Sequence, residues 1–151
     1  MSNLATVQAL YGAFGSGDID GFIGHLAEDV QWESWADNQA VAAGVPWLQA
    51  YGDRDAVRGF FAAVSKMEIV ELQILNMMEG GNEVAVSFIL EARLPECGDR
   101  PYRDEEIHLW TFNDRGQVSR LRHYVDTAKH IKATNGQRGH ADCSSSAERV
   151  S

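Results

Sequence analysis

The sequence predicts an α+β fold: three N-terminal helices packed on a curved, mostly antiparallel sheet, closed as a cone-shaped α+β barrel. Three observations predict it. Apolar residues recur at helical spacing three times before residue 66. From residue 67 the pattern turns to long strand-type runs separated by turn residues. Helices and strands are thus segregated along the chain, which is the α+β arrangement rather than alternating α/β.

The first helix covers residues 3–15, with Leu4, Val7, Leu10, Tyr11 and Phe14 on one side. Gly15 and Gly17 end it, and Asp18 can cap the second helix, which turns Ile19, Phe22, Ile23 and Leu26 to one face. Residues 30–35 alternate as a short strand. Residues 36–52 show no period, and a loop of this length is usually functional, so it is expected to act as a lid. Asp53 or Asp55 starts a third helix, with Val57, Phe60, Phe61 and Val64 on one face.

Four strands follow, at residues 67–78, 83–94, 102–113 and 117–125. Their turns fall at Gly80-Gly81-Asn82, at residues 95–101 and at residues 113–116. Asp126 reads as the cap of a short helix ending near Ala133. The domain is therefore expected to span residues 1–133, with residues 134–151 as a disordered polar tail that includes His140 and Cys143.

Composition narrows the function classes. A length of 151 residues with 44% apolar content fits one globular domain. The net charge of −9 argues against nucleic acid and against anionic membranes as partners. No stretch reaches the roughly 18 apolar residues of a membrane span. Cys97 and Cys143 form no Cys-x-x-Cys pair. With no signal peptide visible, the expected location is cytoplasmic, with reduced thiols.

The residues with chemical potential lie on the last two strands. If Phe112 faces Gln117, His108 lies opposite Leu121 and Glu106 opposite His123. Period-two alternation then puts Glu106, His108 and His123 on one face, beside Trp110 and Phe112. A bulge at Gly116 would slip the register by one and turn His123 away. Two histidines and a carboxylate in an apolar pocket can move protons near neutral pH. His123 and His108 are the candidate acid–base pair, with Glu106 to orient them. Tyr11, Trp32, Ser34 and Trp110 are the candidate substrate-binding residues. The same three titratable groups could hold a metal, but Glu106-Ile107-His108 reverses the usual order of such motifs, so neither metal nor other cofactor is expected. Asp126 is read as a helix cap, and His25 and His130 as surface residues. Both faces of the third long strand are apolar, so a homodimer through the outer face of the sheet is expected.

The segments VQALYGAFGSGDIDGFIGHLAEDVQWES, GDRDAVRGFF and EEIHLWTFNDRGQVSRLRHYVD resemble the nuclear transport factor 2-like superfamily. The resemblance is to its ketosteroid isomerases and SnoaL-like polyketide cyclases and covers residues 3–133. It implies a cofactor-independent isomerase, cyclase or dehydratase acting on a small hydrophobic carbonyl compound such as a polyketide, steroid or terpenoid. The isomerases' general-base aspartate falls on Ser34, their oxyanion-hole aspartic acid on His108, and their tyrosine at or beside Leu10, next to Tyr11. The cyclases' acid–base aspartate falls on His123, while His108 matches a histidine associated with their active site. Scytalone dehydratase, related by fold, also uses a pair of pocket histidines. The rival reading is a non-catalytic member of this fold that binds a small ligand or a protein.

Overall fold

In a computed structural model, residues 1–33, 35, 37–99 and 101–135 are described; Ser34 and the tail from 136 onward lie outside the described residues. Helix α1 (Asn3–Ser16) starts at Ser2, whose hydroxyl accepts the Ala5 N–H at 3.0 Å. It stops at Gly17, whose φ of 73° is the left-handed cap that a side chain would strain. Asp18 caps α2 (Ile19–Ile23) by accepting the Gly21 N–H at 2.9 Å. Strand β1 (Leu26–Trp32) begins four residues earlier than its alternation suggested.

The aperiodic segment that follows is not a free lid. It holds α3 (Gln39–Ala42) and a 3-10 turn (Pro46–Leu48), and it buries Ala40, Val45, Trp47 and Leu48 in the core. Helix α4 (Arg58–Val64) then leads to β2 (Glu68–Gly80), β3 (Glu83–Arg93), a 3-10 turn (Pro95–Cys97), β4 (Pro101–Phe112), β5 (Val118–Tyr124) and α5 (Thr127–Asn135).

The sheet order is β1-β5-β4-β3-β2. Neighbours pair antiparallel except β1 and β5, which run parallel, so the sheet is mixed. The expected cone-shaped barrel is not formed: the sheet is open and not strongly curved, with β1 and β2 as its two edges. Closure would need those edges to meet. Helix α1 packs on β2, β3 and α2. Strand β3 alternates between half-buried and buried residues from Glu83 to Ala92, with Val84, Val86, Phe88, Leu90 and Ala92 inward.

The last hairpin pairs His108 with His123 and Trp110 with Leu121, two residues from the expected register. A shift occurs between Thr111 and Phe112, where Phe112 pairs with Val118. Because the total displacement is even, His123 keeps the inward face; a slip of one would have reversed it. Among the described residues no helix is long and apolar enough to cross a membrane.

Candidate functional site

Strand β4 supplies the centre of the site. Tyr102, Asp104, Glu106, His108, Trp110 and Phe112 alternate inward along it. Two buried carboxylates and a histidine on a core face are costly unless each is partnered, and the partners come from β1, β5 and α5.

His123 on β5 sits between two carboxylates. Its Nδ1 lies 3.0 Å from Glu33 Oε1 and its Nε2 lies 2.7 Å from Glu106 Oε1. A ring that donates from both nitrogens is an imidazolium. Burial alone would make that charge harder to hold. The charges of Glu33 and Glu106 and their hydrogen bonds outweigh it and lift His123 to about 10. Glu106 is held well below the usual carboxylate range: burial pushes it up, and the charge and hydrogen bond of His123, with the His130 ring beside it, more than reverse this. For Glu33 burial wins over the pull of His123, and its carboxyl is raised.

Glu33 reaches the site through a departure from strand geometry. Trp32 already points inward, so alternation would send Glu33 out. Its φ of 57° turns the chain instead, and its N–H donates to Leu121 O at 2.9 Å. The side chain ends 1% exposed. Its Oε2 has no hydrogen-bond partner, and the residue lines the cavity described below.

His108 is placed differently. Trp110 Nε1–H donates to the Tyr11 hydroxyl oxygen at 3.2 Å, and the hydroxyl lies 2.6 Å from His108 Nδ1, the acceptor that the described residues offer its own proton. The single ring proton is thereby assigned to Nε2, which has no hydrogen-bond partner among the described residues. Burial, followed by the charge of His123, holds His108 well below its ordinary value, with Glu106 opposing weakly. The His108 and His123 rings are 4.2 Å apart, and Phe88 lies 4.5 Å from His108.

A third histidine extends the cluster. His130 on α5, expected at the surface, is fully buried. Its Nε2 lies 2.8 Å from Asp104 Oδ2 and 3.0 Å from Glu106 Oε2, and its Nδ1 accepts the Trp47 indole N–H at 3.0 Å. Asp104, Glu106 and His130 present donor atoms within 4.8 Å of one another, the outline of a cation site. The Trp47 bond puts the imidazole proton on Nε2, the nitrogen that would have to ligate. The three therefore form a hydrogen-bonded cluster rather than a ligand set.

These groups border a cavity of about 660 Å³, counted out to its open mouth. Its wall is almost wholly apolar, and Tyr11, Trp32, Glu33, Glu106, His108, Trp110 and His123 line it. Of the candidates read from sequence, the structure brings together all but Ser34, which lies outside the described residues. Sequence reasoning missed Glu33, Asp104, His130 and Trp47. Only Asp104 left a clear signal, the same parity as Glu106 on one strand. The cluster is of the acid–base catalytic kind: buried carboxylates and histidines sharing protons at the edge of an apolar cavity.

Comparison with known proteins agrees with this architecture. The family model described as a SnoaL-like domain matches residues 7–121. A nuclear transport factor 2-like protein of unknown function from Burkholderia pseudomallei is similar at 25% identity, over 87% of this chain and 96% of that one, with a TM-score of 0.71. A second such protein, from Burkholderia thailandensis, has 17% identity over 88% and 97% of the two chains and a TM-score of 0.72. TerC, crystallised with polyporic acid, has 22% identity over 83% and 92% and a TM-score of 0.64. No curated protein matches.

Proposed function

Because the chain belongs to the SnoaL-like domain family, we propose that it is a cofactor-independent acid–base enzyme. Its substrate is a small hydrophobic carbonyl compound of the polyketide, steroid or terpenoid kind, and the reaction an isomerisation, cyclisation or dehydration that passes through an enol. The observation that carries this reading is two polar atoms on residues that line an apolar cavity: Nε2 of His108, left over once Nδ1 meets Tyr11, and Oε2 of Glu33, buried without a hydrogen-bond partner as Glu106 Oε2 and Trp32 Nε1 also are. One is a donor and the other an acceptor.

In the proposed step the Glu33 carboxylate takes a proton from the carbon next to the carbonyl. The C–H electron pair becomes the C=C bond of the enolate. The oxygen gains the negative charge and accepts the His108 Nε2–H. Returning the proton to another carbon of the enolate completes an isomerisation; delivering it to a β-hydroxyl, as the enolate pair re-forms the carbonyl and breaks the C–O bond, expels water and completes a dehydration. His123 is the proton-holding residue: its charge faces Glu33 at 3.0 Å, and it moves the proton through Glu33 because both its nitrogens are taken. Glu106 orients it. Tyr11 and Trp110 fix the tautomer of His108, and Trp32 and Trp110 shape the cavity. TerC, of the same fold, is crystallised with polyporic acid, which supports an organic ligand here.

Proton exchange in D₂O tests the reading. The protein should exchange α-protons of cyclic enones or β-diketones faster than buffer. His108→Ala and Glu33→Gln should each lower that rate by about 100-fold or more. Saturable ligand binding with no exchange above buffer would leave the non-catalytic binding reading. We also propose a homodimer through the outer sheet face, where Ile107 and Tyr124 stay 41% and 43% exposed. Light scattering should then give twice the chain mass, and Ile107→Glu the monomer mass.

A further inference from the structure

The chemistry above makes no use of His130 or Trp47, although both are buried against the site. An indole N–H only donates. Trp47 Nε1 lies 3.0 Å from His130 Nδ1, so that nitrogen holds a lone pair and the ring proton is on Nε2. Nε2–H then donates to Asp104 Oδ2 at 2.8 Å, and Nε2 stands 3.0 Å from Glu106 Oε2. The other oxygen of Glu106 is 2.7 Å from His123 Nε2. Glu106 thus has a histidine beside each oxygen: a hydrogen bond to His123 at Oε1, and the His130 ring at 3.0 Å from Oε2.

A second proton on His130 Nδ1 would meet the indole N–H head-on, donor against donor. Without Trp47, His130 could become a second imidazolium beside Glu106 and divide its charge. The other groups around His130 do not do this work. From β4 it meets Asp104, Glu106 and the edge of the Tyr102 ring, at 5.1 Å between centroids. On α5, Lys129 Nζ lies 3.8 Å from Asp104 Oδ1, and the Asp126 carbonyl accepts the His130 N–H. Glu96, on the 3-10 turn packed against α5, is exposed, and Glu33 lies beyond His123.

We infer that the Trp47 indole locks His130 as the Nε2–H tautomer, and that His130 so locked is a positioning residue that keeps Glu106 and its charge directed at His123. The inference rests on the reading of His123 as the proton-holding residue. Its test reads ring nitrogens and not turnover, so a lock that fails and an enzyme that fails are told apart.

The experiment is histidine-selective ¹⁵N NMR of the full chain from pH 6 to 11, on wild type, Trp47→Phe, His130→Gln and the double variant. Wild-type His130 should show a protonated Nε2 and an unprotonated Nδ1 at pH 7. In Trp47→Phe the ring should carry two protons at pH 7, and the titration midpoint of His123 should fall by about one unit or more. His130→Gln keeps an N–H for Glu106 and should leave that midpoint within about half a unit. Adding Trp47→Phe to His130→Gln should then move nothing further. A wild-type His130 protonated on Nδ1 overturns the inference, and this reading needs no variant to fold. So does a folded Trp47→Phe with unchanged rings, or an equal fall of the midpoint in the His130→Gln background.

Discussion

Replacing Glu106 by Gln removes one of the two carboxylates around His123 while keeping shape and volume. In the folded chain His123 is lifted from 6.5 to about 10. At about 1.36 kcal/mol for each of those 3.5 units, the two carboxylates and the burial they overcome stabilise the folded state by about 5 kcal/mol at most. The sign follows from the raised value. The contribution is fully present below about pH 6.5, falls as pH rises, and is gone above about pH 10. Glu106 carries the shorter bond, 2.7 Å against 3.0 Å for Glu33. Its removal also leaves a buried charge with one partner, which typically costs about 3–5 kcal/mol. We therefore expect Glu106→Gln to destabilise by about 3 kcal/mol at pH 6.5 and by about 1 kcal/mol at pH 10, where the neutral ring can still bond to the amide. Urea denaturation at the two pH values, followed by tryptophan fluorescence, measures the difference. An equal loss at both would show that His123 carries no extra proton in the folded chain and would refute the reasoning.

Further outcomes follow from neighbouring groups. Tyr11→Phe leaves the Trp110 N–H and His108 Nδ1 without partners and should cost about 1–3 kcal/mol in urea denaturation. An unchanged midpoint would mean that the hydroxyl makes neither bond. Leu72→Trp places a larger ring at the cavity wall and should weaken binding of an aromatic ketone by about tenfold or more, read by calorimetry. Unchanged affinity would locate the ligand elsewhere. Glu83 and Arg122 pair at 2.9 Å on the other face of the sheet, and Arg122→Ala should change stability by about 1 kcal/mol or less.

Period two made β3 and β4 legible in the sequence, and with them the shared face of Glu106, His108 and Trp110. His123 joined that face although the expected pairing was displaced, because a displacement of two preserves parity. Glu33 was hidden for the converse reason. Its parity points outward, and only a left-handed backbone angle brings it in. His130 lies on a nine-residue helix too short to declare its buried face, and Trp47 lies in a segment with no period at all. Closure of the sheet was not legible because it depends on whether two edge strands meet. Residue alternation describes what each strand buries and carries no information on that.

The most direct test of the central claim is a crystal structure of the protein with a phenol-sized aromatic ketone in the cavity. The ketone ring should lie against Phe88 and Trp110, with its oxygen within about 3 Å of His108 Nε2 and its α-carbon facing Glu33 Oε2. A ketone that leaves the cavity empty at saturating concentration, or binds with its oxygen turned from His108, would contradict it.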